Sequence, residues 1–256
     1  MPRRVARPST LVGMLGGLGV ALATTVPSQA AVSGRELSLD FEQGAVTANR
    51  GGTALSVRLL THNGGTASTT SSHNRGTALR LPAFKAGSPP LAVLVVNDTT
   101  GGDDLSPGTA KFRFGASFAL DQKSTGSSAD NGDNLVQRGL FGARAQYKIQ
   151  IDNKRPSCRV KGSAGAVHVT ADRSVTPGEW YRALCSRDGS TVTLQVRRLS
   201  DGAKWTYRAS GATGSVAPPS STPLSVGGKV TEGGRLMTGA SDQFNGRVDD
   251  VFVNVF

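Results

Sequence analysis

The chain has 256 residues, of which 37% are hydrophobic and 5% aromatic, and its formal net charge is +11 at pH 7. This basic balance favours acidic partners such as anionic glycans or acidic cell-wall polymers. The 29 Lys and Arg residues are scattered, without the dense clusters or interleaved aromatics of a nucleic-acid groove, so nucleic acid is not predicted as a partner.

Residues 1–30 have the pattern of a cleaved signal peptide. Three arginines precede an uncharged apolar run at 11–26, and residues 27–30 offer a small-residue cleavage site. The run is shorter than the roughly 20 residues that span a bilayer, so export is favoured over a membrane anchor. Cleavage would leave residues 31–256 as one secreted domain without a membrane span. Removing the three leader arginines from +11 would leave a net charge of +8.

Short strand patterns recur along the rest of the chain, with polar turn residues between them. The run at 91–96 is continuously apolar, which is typical of a strand buried on both faces. The polar stretch at 61–76 is predicted to be a surface loop or an irregular hairpin. The predicted strands are 37–41, 55–60, 77–84, 91–96, 111–120, 147–152, 166–170, 180–185, 192–196, 204–208 and 224–230.

The chain ends in a turn at 245–246 followed by one long predicted strand. Side chains alternate with period two, which places Arg247, Asp249 and Val251 on one face and Val248 and Asp250 on the other. Asp249 and Asp250 would therefore point to opposite faces and could not act as a catalytic pair. The apolar residues on both faces predict a strand buried within a sheet.

No segment shows a sustained helical period with caps. Many short strands with polar turns predict an all-β fold, a two-sheet antiparallel β-sandwich of the jelly-roll kind.

Cys158 and Cys185 are the two cysteines of the chain. An even pair in an exported protein is most simply one disulfide, because the compartment is oxidising. Two cysteines without a nearby histidine cannot supply the usual four ligands of a zinc site.

Five segments, taken in order, resemble the sequence pattern of laminin G-like domains of the concanavalin A-like superfamily. Residues 244–251 resemble the Phe-x-Gly-x-(Ile/Val)-Asp-(Asp/Glu)-Val run of the closing strand, and residues 178–184 the Gly-x-Trp-x-x-(Val/Leu) strand. The other segments are 76–81, 112–121 and 134–139. The resemblance, closest to exported bacterial members, implies a concanavalin A-like jelly roll that binds glycans or proteins, frequently with one Ca²⁺, and is non-catalytic.

The resemblance also implies candidate ligands for that Ca²⁺. Asp40 on the opening strand and Asp249 on the closing strand are the candidates, because related sandwiches bring the two ends together. The alternative is that Asp249 accepts hydrogen bonds from Arg247 or a neighbouring loop. Residues 130–134 are a second oxygen-rich segment, but they lack the twelve-residue calcium-loop pattern, so an ordinary turn is favoured there.

Trp205 and Tyr207 are the candidate ligand-binding residues. They share one face of a predicted strand beside a turn, which makes them a plausible pair for stacking on a sugar, although core packing is the favoured alternative. Trp180 is predicted to begin a core strand.

The glutamates give no support for an enzyme. Glycosidases of this superfamily place two carboxylates on one strand as Glu-x-Asp-x-x-Glu, and none of the four glutamates lies in such a motif. The leading hypothesis is a secreted, non-catalytic module at the cell envelope that binds a glycan or an extracellular protein. The alternatives are a glycosidase or lyase of the same superfamily, and a basic structural surface protein without a discrete ligand.

Overall fold

The computed structural model describes residues 35–73, 75–124 and 132–256. These residues form strands and no helix, so none of their elements is a helix able to cross a membrane. The predicted signal peptide at 1–30 lies outside them. The strands are β1 (Leu37–Leu39), β2 (Leu55–His62), β3 (Ser68–Ser71), β4 (Thr77–Arg80), β5 (Leu91–Asp98), β6 (Phe112–Leu120), β7 (Asp133–Arg138), β8 (Gln146–Asp152), β9 (Arg155–Gly162), β10 (Gly165–Thr170), β11 (Trp180–Asp188), β12 (Thr191–Arg198), β13 (Lys204–Ser210), β14 (Leu224–Val226) and β15 (Gly246–Val255).

The strands form two antiparallel sheets, which confirms the predicted β-sandwich. The eight-stranded sheet has the order β13-β12-β11-β6-β15-β4-β3, with β1 paired to β15 off this path. The seven-stranded sheet has the order β10-β9-β8-β7-β14-β5-β2. The closing strand β15 lies between β6 and β4 within its sheet, as its apolar residues on both faces predict.

Aromatic and aliphatic side chains from the inner faces of both sheets fill the space between them. Phe114 of the eight-stranded sheet lies 4.9 Å, centroid to centroid, from Tyr147 of the seven-stranded sheet. The Tyr147 hydroxyl donates to the carbonyl oxygen of Leu105 at 3.0 Å, so its polar end is satisfied in the core. These contacts fix how the two sheets face each other.

The predicted disulfide is confirmed, and it joins the two sheets. Cys158 lies in β9 of the seven-stranded sheet and Cys185 in β11 of the eight-stranded sheet, with their Cα atoms 6.0 Å apart. Both residues are fully buried. The covalent bond therefore crosses the core directly.

A long loop at residues 227–245 covers part of the outer face of the seven-stranded sheet. Its Val230 packs against the outward side chains Val93 and Val95, which explains the unbroken apolar run of β5. Gln243 attaches the loop to β5, because its amide accepts from Ala92 N–H at 2.8 Å and donates to Ala92 and Gly227 carbonyl oxygens. The loop is thereby fixed against the sheet.

The predicted alternation of the closing strand is wrong at one point. A β-bulge shifts the register between Asp249 and Phe252, and Asp250 has a φ of 48°. Val248 and Val251 consequently both face the core, where alternation places them on opposite faces. Asp250 ion-pairs with Arg182 on the outer face of the same sheet. The bulge therefore breaks the period-two rule on which the separation of the two carboxylates was predicted.

Three strands are missing from the predicted set: β3, β7, which the resemblance covered only as the segment 134–139, and β9. β3 forms within the polar stretch 61–76 as an edge strand paired to β4, in keeping with the hairpin alternative. β9 was not predicted, because Pro156 and its charged neighbours weaken the strand pattern. Trp180 does begin β11, but its side chain is only partly buried and lies on the outer face beside Arg247.

Candidate ligand-binding site

The outer face of the seven-stranded sheet carries a pocket of about 340 Å³, which we call the Lys148 pocket. Its volume is at the lower end of the range for small-molecule sites. The side chains that define it are Gln137, Phe141, Gln146, Lys148, Lys229 and Asp242.

Strand β8 supplies the floor of the pocket. Its side chains alternate, so Tyr147 and Ile149 enter the core while Gln146 and Lys148 face outward. Lys148 is only 9% exposed although it faces outward, because the neighbouring strands and the loop at 227–245 surround it.

The turn after β7 forms one wall and fixes the amide groups. Gln137 and Gln146 both donate from Nε2 to the carbonyl oxygen of Gly139, at 2.8 and 3.1 Å. Gly139 has a φ of 81°, and a Cβ there would lie 2.3 Å from the carbonyl oxygen of Ala145. Glycine is therefore required for this turn to approach the sheet.

Phe141 stands at the mouth of the pocket with 70% of its surface exposed. The guanidinium of Arg159 lies 4.4 Å from its ring centroid, and Lys161 donates to its carbonyl oxygen at 3.3 Å. The cation over the ring holds an exposed aromatic side chain in place.

The loop at 227–245 supplies the opposite wall. Lys229 and Asp242 form an ion pair of 2.6 Å, and Asp242 is 4% exposed. Asn134 of β7 donates from its backbone N–H to the Asp242 carbonyl oxygen at 2.9 Å. The loop and the sheet are thus joined directly beside the pocket.

Burial alters the electrostatics of two titratable groups on this face. It lowers the pKa of Lys148 from its ordinary value, and the carboxylates of Asp242 and Asp152 oppose that shift. Burial raises the pKa of Asp152, while its hydrogen bond from Gln150 acts in the other direction. A cation held in such a low-dielectric site interacts strongly with any anion that reaches it.

The structure places Trp205 and Tyr207 on the inner side of the edge strand β13. Both are partly buried and pack against the core. The guanidinium of Arg173 lies 5.5 Å from the Trp205 ring, and the Tyr207 hydroxyl donates to Asp172 at 2.6 Å. This placement accords with the core-packing alternative, and ligand stacking at these residues stays a prediction.

The two carboxylates predicted to hold Ca²⁺ already have protein partners. Asp40 ion-pairs with Arg50 at 2.7 Å, and Asp249 accepts hydrogen bonds from the Ser72 hydroxyl and from Asp250 N–H. Burial raises the pKa of Asp249 to about 6, and the carboxylate of Asp250 adds to the rise. Calcium would have to displace Arg50, so these residues do not form an open cation cage as they stand. The site stays a prediction.

The second oxygen-rich segment, residues 130–134, falls only partly within the described residues, since 130 and 131 lie outside them. Asp133 and Asn134 are the first residues of β7 and are fully buried. Within residues 35–73, 75–124 and 132–256, no three His, Cys, Asp or Glu side chains are grouped to hold a metal ion.

Sequence reasoning did not identify the Lys148 pocket. The alternation of residues 147–152 indicates that Lys148 faces away from the core, but exposure to solvent is the simplest expectation for an outward lysine. Lys148 is enclosed by Phe141 and by the loop at 227–245. No pattern in the sequence indicates that these segments lie close to Lys148.

Comparisons with known proteins agree with this architecture. The binding domain of botulinum neurotoxin DC, solved with rat synaptotagmin II, is similar with a TM-score of 0.57 and 9% identity, over 86% of this chain and 48% of the toxin chain. A protein of unknown function from Shewanella oneidensis MR-1 has a TM-score of 0.55 and 11% identity, over 86% of this chain and 85% of its own. The enzymatically active domain of bacteriophage CBA120 tailspike protein 2 has a TM-score of 0.51 and 13% identity, over 93% of this chain and 31% of its own.

These likenesses show the fold alone, and the chain spans less than half the length of the toxin and tailspike chains. No curated protein matches the chain by sequence. The family model of the Laminin G domain matches residues 135–255, which run from β7 to the end of β15 and include Gln137, Phe141, Gln146, Lys148, Lys229 and Asp242. The chain therefore contains a laminin G-like domain.

Proposed function

We propose that this protein is a secreted, non-catalytic recognition module that binds a glycan in the Lys148 pocket. Laminin G-like domains bind proteins or glycans and are typically non-catalytic. The inter-sheet disulfide accords with an oxidising, extracellular compartment.

The residues that line the pocket are the reason for proposing a glycan as its ligand. They combine an exposed aromatic ring, Phe141, with the fixed amides of Gln137 and Gln146 and with charged groups. An aromatic face beside oriented polar groups suits a sugar, which presents both apolar C–H surface and hydroxyl groups. The pocket volume of about 340 Å³ suits a small unit of a polymer better than a protein surface.

An extracellular protein is the less favoured partner. Protein interfaces usually contain a contiguous apolar core. The exposed large apolar side chains of the described residues are Val46, Phe84, Phe141 and Phe256, which belong to four separate segments.

The test is binding of the purified protein to an array of glycans and cell-wall polymers at about 150 mM salt, close to physiological ionic strength. Phe141→Ala is expected to weaken binding to the selected glycan at least tenfold. Phe256→Ala is the matched control, because Phe256 is also an exposed aromatic residue over which arginine stacks but lies at the end of the chain. Equal loss in both variants, or none in Phe141→Ala, would contradict the assignment of the pocket.

The same experiment separates the alternatives. Trp205→Ala and Tyr207→Ala would weaken binding of the folded protein to the selected glycan if the sequence-predicted pair held it. Release of oligosaccharides from the bound polymer would show an enzyme, whereas we expect the polymer to stay intact. A flat array at physiological salt would support a basic structural protein without a discrete ligand.

A further inference from the structure

Three basic side chains stand in direct cross-strand register on the outer face of the eight-stranded sheet. Arg182 of β11 lies opposite Arg197 of β12, and Arg197 lies opposite Lys204 of β13. The alternate positions Ala183 and Val196 are buried in the core, so the three basic residues face outward. Neighbouring strands are about 4.8 Å apart, so the row spans roughly 10 Å. We call these three residues the cation ladder.

The cation ladder is costly for the sheet, because like charges directly opposite each other on neighbouring strands are destabilising. One carboxylate compensates it in part, since Asp250 pairs with Arg182 at 3.2 Å. In the described parts of the chain, the charged groups of Arg197 and Lys204 form neither an ion pair nor a hydrogen bond. Two of the three positive charges are therefore left without a counter-ion.

The turn between β12 and β13 explains why Arg197 has no carboxylate partner. Asp201 in this turn accepts from Arg198 Nε at 3.0 Å and from Ala203 N–H at 3.0 Å. Arg198 alternates with Arg197 along the strand, so this carboxylate is engaged away from the cation ladder. A Cβ at Gly202 would lie 3.4 Å from Nη2 of Arg197, which places the guanidinium against a part of the turn that has no side chain.

A hollow of about 270 Å³ lies beside the cation ladder. It is lined by the three ladder residues and by Leu184 and Gln195, which face each other on β11 and β12 in the next outward row. None of these five lining residues is acidic. Gln195 adds an amide donor, and Leu184 is a half-buried apolar floor. An anion in this hollow would thus meet donors and positive charge on a surface that is partly shielded from water.

Arg182 is held in position by the protein itself. Its guanidinium lies 5.0 Å from the ring centroid of Phe252, and the guanidinium of Arg35 lies 5.0 Å from the same centroid. Burial lowers the pKa of Arg35, and the nearby charge of Arg182 adds to the fall. Positive charge therefore continues beyond the cation ladder along this face.

We propose that the cation ladder is a second ligand site, which binds a phosphate group with two or more negative charges, as in pyrophosphate or a phosphate monoester. Such an anion matches the two charges that lack a counter-ion, whereas a phosphodiester, a sulfate ester or a carboxylate carries one. Arginine also presents its N–H donors as a fork that fits phosphate oxygens. The inference goes beyond the proposed function, because the cation ladder and the Lys148 pocket lie on different sheets.

The first test compares two soluble phosphates by isothermal titration calorimetry at about 150 mM salt. Pyrophosphate is expected to bind at least about tenfold more tightly than dimethyl phosphate, which has a single charge. Cosedimentation with vesicles then identifies the source of the phosphate group. Binding to vesicles of phosphatidylcholine and phosphatidate, with none to phosphatidylcholine alone, would support the site with a lipid headgroup as ligand. Binding of pyrophosphate without vesicle binding would support it with a soluble ligand.

Variants of the cation ladder assign the binding to these residues. Arg197→Gln should weaken pyrophosphate binding at least about tenfold and, in low salt, raise the Tm of the free protein by about 1–3 °C, because it removes the middle one of three opposed like charges. A variant that merely disturbed the fold would lower Tm. Arg197→Lys keeps the charge but loses the fork, so its binding should be intermediate. Lys204→Gln, at an exposed position of the edge strand, should also weaken binding several-fold.

Arg208→Gln is the matched control. Arg208 is an exposed residue that faces the same side of β13 as Lys204, but it lies opposite Thr193 and outside the cation ladder. The variant removes the same charge from the same face and should change pyrophosphate binding by less than about twofold.

The outcomes that overturn the inference are specific to the cation ladder. Equal binding of pyrophosphate and dimethyl phosphate, or equal weakening by Arg197→Gln and Arg208→Gln, would show attraction to net charge alone and would overturn it. No binding of pyrophosphate and none of the phosphatidate vesicles would also overturn it. Either failure leaves glycan recognition standing, because Arg197→Gln should bind the selected glycan in the Lys148 pocket as the wild-type protein does.

Discussion

Arg138 is the residue whose replacement most directly tests the interior of this sandwich. It is 2% exposed, and its guanidinium bonds three partners on two different segments. It forms an ion pair with Asp103 and donates to the Ser106 hydroxyl at 3.0 Å and to the Thr222 carbonyl oxygen at 2.9 Å. Arg138→Met keeps most of the buried stem but removes every one of these bonds.

The expected cost follows from what the variant leaves behind. The Thr222 carbonyl oxygen loses its donor, and Asp103, whose side chain is 19% exposed, keeps a charge without its partner. Breaking a buried ion pair from one side costs about 3–5 kcal/mol. For a domain of this size that corresponds to a fall in Tm of roughly 6–20 °C.

Urea unfolding followed by tryptophan fluorescence measures this cost. Lys111→Met is the control, because its ion pair with Asp188 is more than half exposed and should be worth about 0.5 kcal/mol or less. A double variant with Asp103→Asn should cost less than the sum of the two single changes by about 1–3 kcal/mol, as expected for residues in direct contact. A loss below about 1 kcal/mol for Arg138→Met would refute the reasoning.

Three further predictions concern the disulfide, pH and calcium. Replacing Cys158 and Cys185 together by alanine should lower the free energy of unfolding by about 3.5 kcal/mol, since the bond closes a 27-residue separation, and equal urea melts of oxidised and reduced protein would contradict this. The raised pKa of Asp249 means that its contribution to stability is present below its ordinary value of 3.8 and is lost as pH rises through about 6. Asp249→Asn should therefore have a higher Tm than wild type at pH 8, and the difference should vanish near pH 3.5. A calcium site at Asp40 and Asp249 predicts a higher Tm when Ca²⁺ is added to chelated protein, and unchanged melting would remove both residues as candidates.

The fold could be predicted from the sequence because most of its strands have a recognisable local pattern of apolar residues. The run at 91–96 indicated burial on both faces, and the structure shows one face in the core and the other under the loop at 227–245. Errors arose where a strand departs from regular pairing. β9 contains a proline, and the bulge in β15 at Asp249 is set by pairing with β6, which local alternation does not encode.

The candidate site was harder to predict, because it is made by packing between distant segments. Period-two alternation correctly placed Lys148 outside the core, but an outward lysine on a regular strand is normally solvated. Three other features enclose this lysine: the Gly139 turn, the Phe141 ring beside it, and the loop held to β5 by Gln243. None of these is periodic, and each acts through a tertiary contact. The chemistry of the pocket thus depends on which groups lose water when the loop meets the sheet, a property of the assembled fold.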